Sequence, residues 1–388
     1  MSQRTSWGMI ILLWAAGLGA AAQYGKISII FDRLPMLYPG AGASLGFIVS
    51  LVGFVGVIFG VVAGIFAARF GFRHTMLAAL WVGALMSAFQ SLVPPLGWML
   101  LSRLIEGASH LALVVAIPTL IAQLATDGAR GMALSLWSTF FAVAFALLAL
   151  LGLPLVASAG PQALFAAHAV YMAIFAVVLG VFLRPLGLER PKSALSLPQI
   201  IKDHGDIYRS LDAVMPAAGW LFYTFCFVAI LTVLPPYLDP ADRAFVMTAM
   251  PLLSIATSLT LGVLLLRVIA AVRVVQIGFL LSTGMMVWLW FVPADIYACL
   301  ALAGAMGLIQ GASFAAVPEL NKSARAQAGS NGAMAQMGNL GNTLGTPVFA
   351  VLVLSAGPGA MLAAAAVVLA IGAVTHLLLA RRRRTAQS

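Results

Sequence analysis

Arg103, Glu106 and His110 are three and four residues apart inside a long apolar stretch. At 100° per residue their side chains share an arc of about 60°, so a helix there carries a single ionisable stripe. A carboxylate beside a guanidinium can exchange a proton for an anionic partner, and a histidine one turn on can relay it. Lys26 stands in a separate apolar stretch, with Gln23 and Gly19 on its helical face. At 1.5 Å per residue Lys26 lies about 7 to 8 Å, and Glu106 about 12 Å, below the same end of their stretches, depths that allow contact. The Gln23 and Gly19 face leaves room for a ligand beside the ammonium. Two readings fit. In one, Lys26, Arg103 and Glu106 form a structural ion network joining two helices. In the other, Lys26 and Arg103 bind an anionic part of a solute while Glu106 takes up and releases a proton, with His110 as a relay or as a buried, hydrogen-bonded histidine.

The elements that hold these residues follow from composition. Hydrophobic residues make up 62% of the 388 positions and charged residues 8%, against about 25% charge in a soluble domain. Such a chain must face lipid, and each crossing of a hydrocarbon core about 30 Å thick needs about 20 apolar residues in a helix. Twelve stretches qualify, at about 7–31, 43–67, 75–93, 98–124, 132–156 and 163–183, then 215–235, 245–266, 274–292, 296–317, 326–354 and 360–379. The fold class expected is an all-α membrane protein. A β-barrel is excluded because the stretches are apolar all round rather than alternating. Ala20 to Ala22 resembles a signal-peptide cleavage region, but apolar character resumes at Ile27 to Phe31, so a retained first helix is expected. Cys226 and Cys299 sit in different stretches, and neither a metal nor a disulfide is indicated.

Seventeen of the twenty-one Lys and Arg residues fall at the termini or in loops on the side of the N-terminus, Arg381 to Arg384 among them. By the positive-inside rule both termini are cytoplasmic. The net charge of +10 is thus spread loop by loop, which disfavours nucleic acid as a partner. The longest polar stretch, Arg184 to Asp212, divides the chain into a bundle at 1–183, a cytoplasmic linker at 184–212 and a bundle at 213–388. Leu104-Ile105-Glu106-Gly107-Ala108-Ser109 in crossing 4 matches Leu308-Ile309-Gln310-Gly311-Ala312-Ser313 in crossing 10 with one change, as a duplicated six-helix unit requires.

On these features the sequence resembles the major facilitator superfamily over nearly its whole length. The most specific element is Gly64-Ile65-Phe66-Ala67-Ala68-Arg69-Phe70-Gly71-Phe72-Arg73-His74, similar to the family's gating loop between crossings 2 and 3. Ala68 replaces the acidic residue of that pattern, which weakens the charge relay the resemblance implies for Gly64, Arg69, Gly71 and Arg73. The second copy, around Gly262, Arg267 and Arg273, is more degenerate. Arg103 and Gly107 match the arginine-then-glycine pattern that the resemblance associates with proton coupling. The resemblance further implies two six-helix bundles around a central cavity, alternating access and a monomer. It also sets crossings 2 and 11 on the seam between the halves, where Gly53, Gly56, Gly60 and Gly64 and Gly338, Gly341 and Gly345 permit close packing or sliding. Pro118 and Pro347 are expected to kink their helices.

Further polar residues inside crossings are weaker candidates for touching substrate: His168, Gln276, Gln310, Gln336, Asn339 and Asn342. Trp220, Tyr223 and Phe227 form either an aromatic wall or ordinary packing. His376 and Tyr171 are assigned no role. No Walker-type loop, His-Glu-x-x-His or Gly-x-Ser-x-Gly element occurs, so no enzyme activity and no cofactor are expected, and energy must come from a gradient. The expected function is proton-coupled uptake of a small organic solute, anionic or zwitterionic, across a bacterial inner membrane. Its partners would be that solute, protons and the lipid bilayer. Proton-coupled efflux of amphipathic or toxic compounds is the alternative, disfavoured because Gly152-Leu153-Pro154 poorly matches the antiporter glycine-proline pattern. A membrane sensor or assembly factor is a third class.

Overall fold

The computed structural model describes the chain at 5–183 and 197–387, and its described residues are 90% helical with no strand. In chain order the helices are α1 (Trp7–Ser28), α2 (Leu34–Leu37), α3 (Leu45–Phe70), α4 (Phe72–Gln90), α5 (Leu96–Leu124), α6 (Asp127–Ser138), α7 (Phe140–Leu147) and α8 (Leu153–Phe182). There follow α9 (Leu197–Arg209), α10 (Leu211–Val233), α11 (Pro240–Thr257), α12 (Val263–Leu266), α13 (Ala271–Phe291), α14 (Ile296–Leu320), α15 (Ala324–Ala356) and α16 (Pro358–Gln387). The linker expected at 184–212 is described only from residue 197, where it forms α9, and Asp212 already belongs to α10.

Among the described residues, eleven helical stretches are long and apolar enough to cross a membrane. One of them, Phe140–Phe182, has 43 residues, about twice what a single crossing needs. It takes in most of two expected crossings. At its middle Gly160 has φ +80° and Pro161 follows, so the backbone leaves helical geometry where a glycine tolerates it and a proline removes the next amide donor. A similar device separates α3 from α4: Gly71, at φ +87°, is the single residue between them.

The residues fall into two compact units, Met1–Gly40 with Leu51–Leu195 and Ala41–Ser50 with Ser196–Ser388. In the first, α1 packs on α5, α7 and α8, while α4 packs on α5 and α8. Ile10, Leu13, Leu80, Leu113, Ile117 and Met172 form a fully buried core among these helices. In the second, α10 packs on α14, α15 and α16, and α13 on α14 and α16. Cys226 of α10 and Cys299 of α14 are both buried and pack inside this unit.

The duplicated motif has the same packing role in each unit. A Cβ on Gly107 of α5 would stand 2.6 Å from the Val52 carbonyl oxygen of α3. Gly311 of α14, its counterpart, backs onto Ser258, directly after α11, and a Cβ on Gly278 of α13 would stand 2.7 Å from Ile309. At Gly107 the neighbouring backbone, and at Gly311 and Gly278 a neighbouring side chain, leaves no space for a Cβ, the close approach that small residues provide in membranes. Gly107→Val is therefore expected to destabilise by about 1–3 kcal/mol through overpacking. Thermal melts of purified protein in detergent should show that loss, and Gly284→Ala, with open space around it, should change the melting temperature little.

Candidate functional site

The ionisable residues of the first unit meet in one buried cluster. Lys26, on the last turn of α1, Arg103 and Glu106, on α5, are each 0% exposed. Lys26 Nζ donates to Glu106 Oε1 at 2.6 Å and to Ser87 Oγ, on α4, at 2.5 Å. Arg103 is paired with the other carboxylate oxygen, Oε2, which also accepts from Gln90 Nε2 at 2.8 Å. A second guanidinium nitrogen donates to the Gln23 carbonyl at 2.5 Å. Both carboxylate oxygens are thus held by charge-assisted bonds, and each cation has a neutral acceptor besides. This coverage is what burial demands: a charge removed from water must be paired and hydrogen-bonded.

His168 of α8 joins the cluster, and its hydrogen bonds assign its tautomer. Nε2 lies 2.9 Å from the Gly19 carbonyl, which can only accept. The proton is therefore on Nε2, leaving Nδ1 as the acceptor toward Ser87 Oγ at 2.6 Å and Lys26 Nζ at 3.3 Å. The Phe165 ring lies 5.7 Å from the ammonium, within cation–π range. The contacts of Lys26 therefore come from α4, α5 and α8 together. His110, expected on the same stripe, turns elsewhere: its Nδ1 pairs with the Ala20 carbonyl at 2.9 Å and its ring meets Tyr24 edge-on.

The space expected beside the ammonium is filled. Gln23 is fully buried and donates to Ser109 Oγ at 3.0 Å. A Cβ on Gly19 would stand 2.6 Å from Met172. In this conformation a solute reaches Lys26 or Arg103 only by displacing a protein group.

In the second unit the position of Glu106 is taken by Gln310, and its surroundings are neutral. Gln310 Oε1 accepts from Tyr223 Oη at 3.3 Å and Ser254 Oγ at 3.4 Å. Trp220, Tyr223 and Phe227 form a stacked ladder along α10, with centroid separations of 4.7 and 5.2 Å. Tyr223 is buried and Trp220 half-buried. Gln336 accepts from Tyr208 Oη, on α9, at 2.8 Å; burial pushes the Tyr208 phenol up, so it stays a donor. Asn339 bonds its own helix at Ala335. Gln310, Trp220 and Tyr223 are thus brought together, while Gln336 and Asn339 have separate partners.

Residues 5–329 match the sequence model of the Major Facilitator Superfamily. The chain belongs to this superfamily. It is a multi-pass membrane protein of a transporter family. Over 143 residues it is 31% identical to the niacin transporter NiaP of Acinetobacter baylyi, a match covering 36% of this chain and 32% of that relative. The chain thus spans about a third of the length of the curated relative it matches. Of the residues expected to form a gating loop, Gly71 supplies the positive-φ residue before α4, and Arg73 donates to the Gly180 carbonyl of α8 at 2.8 Å. The side chains of Arg69 and Ala68, and Gly64, lie outside the described residues.

Sequence reasoning placed Glu106 and both cations but underrated His168 and passed over Ser87 and Gln90. Depth put all three on neighbouring apolar stretches near the level of Lys26, but which face of each helix they occupy is set by packing. Replacing Glu106 by Ala strands two buried cations and is expected to cost about 3–5 kcal/mol. Gln310→Ala, which leaves neutral groups unpaired, should cost about 1–3 kcal/mol. Melting temperatures of the two variants, measured side by side, should rank in that order.

Proposed function

We propose that this protein is a proton-coupled importer of a small organic anion, a monocarboxylate of the niacin type, working by alternating access across a bacterial inner membrane. In this reading it crosses the membrane twelve times, the break at Gly160 and Pro161 dividing two crossings, with both termini cytoplasmic, an orientation that the distribution of Lys and Arg supports. It acts as a monomer made of two six-helix bundles.

The observation that carries the proposal is the charge count. Lys26 and Arg103 hold one carboxylate, that of Glu106, and all three groups are fully buried. The cluster is complete only while a carboxylate stands between the cations. If Glu106 takes a proton, its two partners are released, and a substrate carboxylate can occupy the same position with the same hydrogen bonds. One proton and one anion then enter together and leave the buried charge unchanged. Neither binds well without the other, and that reciprocity is the coupling. Ser87, Gln90 and His168 supply the neutral donors and acceptors that persist through the exchange. The named function of the relative, niacin transport, fits an aromatic monocarboxylate.

Cells producing this protein should accumulate such an acid more strongly at low external pH and lose the accumulation with an uncoupler. Depletion of the solute from producing cells would instead make this an exporter loaded from the cytoplasm. Glu106→Gln should retain exchange of labelled solute across the membrane at a rate independent of pH and lose accumulation. Continued accumulation against a gradient by Glu106→Gln would remove Glu106 from the proton's path.

A further inference from the structure

A second site, independent of the transport reading, lies where α10, α13, α14 and α16 converge. A cavity of about 180 Å³ is lined there by Arg273, Gln276, Glu319, Arg383 and Arg384 among apolar side chains. Arg383 is committed in part: its Nε donates to Asp212 Oδ1 at 2.5 Å, tying the end of α16 to the start of α10. Among the described residues the side chains of Arg273, Arg384 and Gln276 make no hydrogen bond or ion pair. Glu319 uses Oε2 to accept the Ala271 amide at the start of α13, at 2.8 Å, and its Oε1 has no partner among the described residues. The cavity thus presents two uncommitted guanidinium forks, one amide and one carboxylate acceptor. Forked donors suit a phosphate diester, and the carboxylate oxygen suits a hydroxyl beside it.

The position of the cavity selects the source of that phosphate. The apolar run of α16 ends at Ala380 and the four-arginine run begins at Arg381. Leu377, one turn before, is 40% exposed, and Val268, just before α13, is more exposed still. Apolar surface therefore gives way to charge at the cavity's mouth, which is the headgroup level of a membrane protein. Met215 and Leu320 supply a buried apolar wall beside the arginines.

We infer that this cavity binds the headgroup of an anionic phospholipid, with Arg273 and Arg384 on the phosphate and Glu319 on a headgroup hydroxyl, the pattern of phosphatidylglycerol. The lipid would bridge α13 and α16 beside the Arg383–Asp212 tie and hold this end of the unit together. Native mass spectrometry of the full-length protein released from phosphatidylglycerol and phosphatidylcholine mixtures tests it. Wild type should retain phosphatidylglycerol preferentially and melt at a higher temperature with it. The Arg273→Gln/Arg384→Gln pair should lose about thirtyfold in retention, about fivefold per arginine. Arg381→Gln/Arg382→Gln, outside the cavity, should lose far less. Equal losses in the two pairs would reduce the effect to general surface charge and overturn the site. Equal retention by Arg273→Gln/Arg384→Gln and wild type would overturn it too. Competition by inorganic phosphate or glycerol phosphate at the lipid's own concentration would overturn the lipid assignment and give the cavity to a soluble phosphate ester instead.

Discussion

Three charges with no access to water must be satisfied by one another, and the first unit is arranged around that requirement. Glu106 can remain a carboxylate in an apolar interior only while Lys26, Arg103 and Gln90 point at it. Those donors come from three helices, so α1, α4 and α5 are fixed in depth and rotation at this level. His168 adds α8 through Ser87 and Lys26. The glycines then follow as a consequence. Gly107, one residue after Glu106, lets α5 lie against α3, and Gly19, whose carbonyl holds His168, lets α1 lie against α8.

The two units share a packing plan and differ in electrostatics. A glycine of the duplicated motif seats α5 on α3 and its counterpart seats α14 on the segment after α11. One residue earlier the plan diverges: Glu106 in one unit, Gln310 in the other. The amide carries no charge, and its partners, Tyr223 and Ser254, are hydroxyls. Replacement of a carboxylate by an amide removes the need for buried cations, and the hydrogen bonds of Gln310 run to hydroxyls alone. One packing plan thereby carries a charged cluster in the first unit and a neutral cluster beside an aromatic ladder in the second.

Much of this was legible in the sequence, because a bilayer leaves few choices to an apolar chain. Crossing positions followed from run length, and α5 and α14 match their expected ranges within a few residues. The helical stripe at 100° per residue put Arg103 beside Glu106, and depth alone allowed Lys26 to reach them. Depth could not say which way His110 faces, because Ala20 and Tyr24 of α1 take its ring. Nor could it reveal Ser87, Gln90 and His168, whose roles depend on how α4 and α8 rotate against α1. The break at Gly160 and Pro161 is written in the residue types, but the distribution of helix on either side of it depends on packing.

In the proposed coupling, Glu106 surrenders its two cations to a substrate carboxylate as it takes a proton. Infrared difference spectroscopy of the purified protein on addition of nicotinate reads that event directly. A band of a protonated carboxyl group should appear with nicotinate in the wild type and be missing in Glu106→Gln. Binding of nicotinate with no such band, or with the same band in Glu106→Gln, would contradict it.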